Sequence, residues 1–397
     1  MIKRIEKAVA KGDITAPPSK SLSHRYIICA ALAKGRSVIK NVSYSKDILA
    51  TMECARKMGA TVEQKEDTLT ITGGEKKANE IIAFPCNESG STMRFFMGIA
   101  LYFSYEGRFY GSETLRNRPF GVYETLCQKL SGTFLREKDY ILVHGCLKPD
   151  TYRLPGNVSS QFISGLLFVL PLLKGDSRII LESGIESKSY INLTIQAQEM
   201  MGVKVYWKND TELFIPGNQS YSPREVTVEG DYSNAAFLEG FNTIGGSVAV
   251  HGLNPESLQG DKVYLEHFQS LQREKATVDL SDCPDLGPVL FSVAAANHGG
   301  YFTGTKRLRI KESDRVSAMC MELEKLGIES VIDENRVEIK KGELHPPTES
   351  IDGHNDHRIV MAMTLLLSKT GGEMKGAEAV SKSYPDFFER IREIGIG

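Results

Sequence analysis

Residues 19–35 read SKSLSHRYIICAALAKG, a polar and cationic opening that runs straight into an apolar stretch closed by glycine. The same design returns five times: SGSTMRFFMGIALYFSYEG (89–107), SSQFISGLLFVLPLLKG (159–175), DYSNAAFLEGFNTIGG (231–246), PDLGPVLFSVAAANHGG (284–300) and NDHRIVMAMTLLLSKTGG (355–372). Small or polar residues ahead of a largely apolar run predict a buried helix with a polar start. After each comes a short strand-like run, a polar turn and a second, amphipathic helix. Five of the second helices end near a glycine, in RKMGATV, QKLSGTF, QEMMGVKV, EKLGIESV and REIGIG; the fourth ends in LQREKATV.

The glycines closing the first helices stand at positions 35, 107, 175, 246, 300 and 372, evenly stepped except for the shorter interval from Gly246 to Gly300. A period of about 70 residues exceeds the common solenoid repeats and suits a βαβαββ-type unit repeated within globular domains. Six copies divide into two domains of three. The expected fold class is therefore α/β, with two similar domains.

At 397 residues the chain is long enough for about two domains. Its net charge of -2 excludes nucleic-acid binding through bulk positive charge, so any basic patch is local. Seven scattered cysteines without a CxxC pair read as reduced thiols, not as a disulfide frame or a zinc site. The opening MIKRIEKAVAKGD does not read as a signal peptide, and FISGLLFVLPLL is too short to cross a bilayer. A cytoplasmic location is expected.

The polar helix starts carry the candidate chemistry. The first turn of a helix exposes N–H groups and the positive end of its dipole, so six such starts aimed into one cleft would attract anions strongly. In SKSLSHR, Ser19 or Ser21 can cap the helix, leaving Lys20 and Arg25 to meet an anion or simply to be solvated. ESGSTMR offers Gly90, where bare backbone can approach a ligand, and Arg94, which can equally be structural. NRPFG turns at Arg118, and SSQF reads first as a cap. In RIKESDR, a carboxylate beside a lysine and an arginine is either a solvated charge run or a proton-transfer group near a bound anion. Asp285 in CPDLG is an N-cap or a general base. NDHR and SKSYPDFF add Arg358 and Lys382. G-x-x-x-x-G-K-[ST], a metal cluster, a nucleophilic triad and a dinucleotide fingerprint are all missing from the sequence.

Taken together, SKSLSHR, ESGSTMR, NRPFG, SSQF, SKSY, VEGDYS, CPDLG, RIKESDR, NDHR and SKSYPDFF resemble the 5-enolpyruvylshikimate-3-phosphate synthase family, in its order, from about residue 13 to 388. The resemblance implies the enolpyruvyl transferase fold, two domains of three repeats with an interdomain active-site cleft. The chain would cross between domains near Asp13 and near Val228–Glu229, giving one domain of 14–228 and another joining 1–13 to 229–397. It implies transfer of the enolpyruvyl (carboxyvinyl) group of phosphoenolpyruvate to the 5-hydroxyl of shikimate 3-phosphate, in the shikimate pathway to chorismate and the aromatic amino acids.

By position, the implied shikimate 3-phosphate contacts are Lys20, Ser21, Arg25, Ser159, Ser160, Gln161, Ser187, Asp285 and Lys311. Those for phosphoenolpyruvate are Lys20, Gly90, Arg118, Gln161, Arg315, Arg358 and Lys382. Asp285 and Glu312 are the implied catalytic acid–base pair. The resemblance implies no cofactor and no metal, no nucleic-acid or membrane partner, and a monomer. Glu88, Ser91 and Arg307 depart from the pattern of many members, at positions that bear on fine geometry and inhibitor response. The alternatives are the related transferase acting on UDP-N-acetylglucosamine, whose usual loop cysteine is missing from GSETLRNRPFG, and a non-catalytic phosphometabolite-binding protein of the same fold.

Overall fold

All six apolar runs fold as helices in the computed structural model, which describes residues 1–74 and 80–397: Lys20–Leu32, Gly90–Phe103, Ser160–Leu167, Tyr232–Glu239, Gly287–Ala296 and His357–Thr370. Their residues are buried almost throughout, which is why the runs lack a polar face. Each leads into a strand, in order Gly35–Lys40, Glu106–Gly111, Ser177–Leu181, Ser247–His251, Gly300–Thr303 and Gly372–Lys375.

Four of the six sheets share one plan. In the second repeat, Ile81–Asn87 runs parallel to Glu106–Gly111, which pairs antiparallel with Tyr140–His144, itself antiparallel to Thr133–Arg136. The sheets centred on Gly35–Lys40, Ser177–Leu181 and Gly300–Thr303 follow the same order. The first of these takes its parallel strand, Glu225–Thr227, from far along the chain. In the fourth repeat, Lys11–Thr15 pairs in parallel with Ser247–His251 in a two-stranded sheet, and the helix Tyr264–Arg273 leads directly to Ala276–Asp279. The hairpin that follows the second helix in the complete repeats is missing there, which accounts for the short step from Gly246 to Gly300. In the sixth, Gly372–Lys375 lies between Ile2–Ile5 (antiparallel) and Ile351–Asp352 (parallel).

The chain divides into two units, Met1–Pro17 with Glu229–Gly397, and Pro18–Val228. Residues 14–17, assigned above to the domain 14–228, lie in the former, because Lys11–Thr15 is paired along its whole length with Ser247–His251. Each unit has its own apolar core. In Pro18–Val228 the second and third inner helices touch at glycines: a Cβ on Gly98 would stand 2.3 Å from the carbonyl oxygen of Gly165. In the other unit, the Ser292 hydroxyl donates to the Ala362 carbonyl at 3.1 Å and ties the fifth inner helix to the sixth.

Five inner helices are capped by a side chain. Ser19, Ser89, Ser159, Asp231 and Asp356 accept from the N–H groups of Leu22, Thr92, Gln161, Asn234 and Arg358. None of the six has an acidic residue inside its first turn, so among their own caps only Asp231 and Asp356 set a negative charge against the positive helix end.

Candidate active site

In Pro18–Val228 most of the predicted residues lie at or near the starts of the inner helices, with Arg118 and Ser187 outside them. Ser19, not Ser21, is the cap of the first helix. This leaves Lys20 at its first position, where Nζ pairs with Asp47 Oδ2 at 3.0 Å. One turn on, Arg25 is 3% exposed and fixed from three sides. Its Nε donates to Thr194 Oγ1 at 2.8 Å, and its terminal nitrogens to the carbonyls of Ser21 (2.6 Å) and Tyr190 (2.9 Å). Its guanidinium also lies over the Phe95 ring, 5.4 Å from the centroid. Such a side chain gives up little conformational freedom on meeting a ligand.

The starts of the second and third inner helices meet directly. Arg94 donates to Gln161 Oε1 at 2.5 Å, and Gln161 Nε2 donates to Ser91 Oγ at 2.8 Å. Arg94 also faces the rings of Phe120 and Phe162 at 5.3 and 5.1 Å. Arg118 belongs to the same group, because a Cβ on Gly90 would lie 2.9 Å from its guanidinium and 3.2 Å from that of Arg94. Ser159 caps the third helix and Ser160 is buried at its first position. Ser187, also buried, takes the left-handed conformation (φ 60°) just before the helix Lys188–Met200. That backbone costs free energy for a non-glycine residue and clusters at functional sites.

In the other unit, Arg315 organises the charges. It is 1% exposed and opens the helix Arg315–Lys325. Its Nε donates to Asp356 Oδ2 at 2.8 Å, one terminal nitrogen to Asp285 Oδ1 at 2.9 Å, and the other to Glu312 Oε2 at 2.6 Å. Burial pulls its pKa down, but Asp356, Glu312 and Asp285 outweigh that and hold the guanidinium more firmly protonated than usual. Asp285 also meets Lys311 Nζ at 3.3 Å and Arg358 at 3.0 Å, while Arg358 donates a further bond to the Asp285 carbonyl at 3.1 Å. Instead of capping the fifth helix, Asp285 thus sits in a 3-10 turn, Pro284–Leu286, as the meeting point of three cations. Lys382, nearly buried, donates to the Asn355 carbonyl at 2.5 Å.

Two titrations stand out here. Burial lowers the Lys311 pKa to about 8, with Asp285 opposing and the charges of Arg307 and Arg315 reinforcing the drop. Burial raises Asp261 to about 6, and the charge of Asp285 adds to the rise. Among the described residues, no helix is long and apolar enough to cross a membrane.

Asp47 and Asp356 were not among the sequence candidates. Asp47 lies on a helix of ordinary amphipathic pattern, and Asp356 reads as a plain N-cap; their cationic partners, Lys20 and Arg315, stand on other helices, 27 and 41 residues away in the chain.

The family model described as EPSP synthase (3-phosphoshikimate 1-carboxyvinyltransferase) matches residues 5–391. The chain belongs to the EPSP synthase family. Among similar EPSP synthase relatives, a Clostridium perfringens protein (strain ATCC 13124) named 3-phosphoshikimate 1-carboxyvinyltransferase is 39% identical, covering 97% of this chain and 96% of its own length. A Clostridioides difficile protein (strain 630) of the same name is 37% identical, covering 99% and 97%. A solved EPSP synthase from Acinetobacter baumannii matches 100% of this chain and 99% of its own with a TM-score of 0.79 at 23% identity, a likeness of fold. The α/β repeat architecture is therefore that of EPSP synthases, as the resemblance implied.

Proposed function

We infer that the protein transfers the carboxyvinyl group of phosphoenolpyruvate to the 5-hydroxyl of shikimate 3-phosphate, giving 5-enolpyruvylshikimate 3-phosphate and phosphate. The reaction is a step of the shikimate pathway towards chorismate and aromatic amino acids. The observation that carries this reading is a pair of carboxylates, Asp285 and Glu312, held on one buried guanidinium among further cations, in a chain of the EPSP synthase family.

Each substrate carries a phosphate and a carboxylate, so several cations must offset that charge before they can approach. In this proposal Lys20, Ser21, Arg25, Ser159, Ser160, Gln161, Ser187, Asp285 and Lys311 hold shikimate 3-phosphate. Lys20, Gly90, Arg118, Gln161, Arg315, Arg358 and Lys382 hold phosphoenolpyruvate. Asp285 takes the proton of the attacking hydroxyl as its oxygen bonds to the central carbon of the enol, while Glu312 protonates the methylene carbon. The tetrahedral adduct then collapses: the new methyl returns its proton to Glu312, the carbon–oxygen bond to phosphate breaks, and Asp285 gives its proton to the leaving phosphate. An arriving anion competes for Arg315 and Arg358, and a carboxylate that loses a cation holds a proton more readily. Substrate binding thus readies the acid–base pair. In this proposal the reaction takes place in the cytoplasm, a setting that suits seven scattered cysteines kept as thiols.

Phosphate release from phosphoenolpyruvate, measured with each acceptor alone, tests the reading. Release with shikimate 3-phosphate and none with UDP-N-acetylglucosamine is expected; the reverse would overturn it.

Two smaller effects follow from the geometry. In Gly90→Ala the new methyl pushes the Arg118 guanidinium aside, so KM for phosphoenolpyruvate rises severalfold while the melting temperature holds. An unchanged KM would remove Gly90 from that contact. For Lys311, protonated below about pH 8 and neutral above it, kcat/KM for shikimate 3-phosphate falls as pH rises through that region. Lys311→Arg, which stays charged, flattens this alkaline limb; a limb that persists assigns it to another group.

A further inference from the structure

The segment Asp352–Asp356, which leads into the sixth inner helix, is anchored on one side and holds the site cations on the other. Its anchor is Glu322, on the helix Arg315–Lys325 and 1% exposed. Glu322 Oε1 accepts from His354 Nε2 at 2.8 Å, and Oε2 accepts from Lys325 Nζ at 2.7 Å and from the Asp352 N–H at 3.0 Å. Lys325 also donates to the Ser350 carbonyl at 3.3 Å. A carboxylate shielded this far from water persists because its partners satisfy it. Burial would raise the Glu322 pKa, but the bonds from His354 and Lys325 outweigh that and lower it; the same bond raises that of His354.

The backbone here is strained. His354 and Asn355 are consecutive non-glycine residues in the left-handed region, at φ 47° and 50°. Such a pair survives only where its surroundings enforce it. The enforcing contacts are the His354–Glu322 bond and the His354 N–H to Asp352 Oδ1 bond at 2.7 Å. The second residue of the pair and the one after it make the contacts to the site. The Asn355 carbonyl accepts from Lys382, and the Asp356 carboxylate accepts from Arg315 and from the N–H of Arg358.

We propose that Glu322 and His354 are positioning residues: by clamping the left-handed turn, they set Arg315, Arg358 and Lys382 in register for one anionic substrate. That substrate is phosphoenolpyruvate if the function above holds, so this inference rests on that reading for the ligand, but not for the clamp itself.

The test compares wild type, His354→Ala, His354→Gln and Glu322→Gln in the full chain. It combines steady-state kinetics in both substrates, thermal melting, and hydrogen–deuterium exchange over residues 350–360. His354→Ala should raise KM for phosphoenolpyruvate about tenfold, change kcat and KM for shikimate 3-phosphate less than threefold, and speed exchange at the turn. His354→Gln, which can still donate to Glu322, should stay within threefold of wild type on each count. Glu322→Gln should fall between them. The proposal is overturned if His354→Ala leaves turn exchange at the wild-type rate, or keeps KM for phosphoenolpyruvate within twofold. It is equally overturned if His354→Gln fares no better than His354→Ala. Should wild type release no phosphate with shikimate 3-phosphate, the functional reading falls, and exchange at the turn alone decides the clamp.

Discussion

Asp285→Asn lowers kcat by about 10²- to 10⁴-fold, the usual worth of a positioned proton-transfer group. Asparagine keeps the shape, and its amide oxygen can accept from Lys311 and Arg315, but its NH2 group would face the Arg358 donor and it cannot take the proton of an attacking hydroxyl. Arg315 keeps its bonds to Asp356 and Glu312, so the framework survives. Steady-state kinetics should therefore show a loss in kcat far larger than any accompanying drop in melting temperature accounts for. A variant with wild-type kcat removes Asp285 from the chemistry. A variant that loses kcat only in step with its folded fraction makes Asp285 a structural counter-ion.

Arg315→Met acts on stability as well as rate. Removing one member of a buried ion cluster leaves the others uncompensated, a loss of about 3–5 kcal/mol where one charge is stranded. Here Asp356, fully buried, keeps the bonds from the Ser313 hydroxyl and the Arg358 N–H but loses its guanidinium. The urea midpoint should drop accordingly at an unchanged slope, and activity should fall by more than the folded fraction accounts for. A stability loss below about 1 kcal/mol would mean that burying this cluster costs nearly as much as its attractions return, as happens for some buried ion pairs.

The helices were legible because burial on all sides leaves an unmistakable apolar run, and the strands because each follows a helix-closing glycine. The break in period between Gly246 and Gly300 was visible too. Its meaning, a repeat without its hairpin, needed the strand pairing of Lys11–Thr15, since a strand borrowed from far upstream leaves no mark near residue 247. At the site, cations at helix starts could be picked out singly. Two of their counter-ions could not: Asp47 and Asp356 look like ordinary capping or helix-face acids, and only tertiary proximity distinguishes them. Arg94, open between two readings, turned out to hold Gln161 while packed against two phenylalanines.

The pairing of Ile2–Ile5 with Gly372–Lys375 has a consequence for biosynthesis. The first strand emerges from the ribosome about 370 residues ahead of its mate, a wait of roughly 20 to 75 seconds at ordinary elongation speeds. The segment Pro18–Val228 is fully synthesised well within that interval, whereas the amino-terminal ribbon must stay uncommitted until its distant mate has been made.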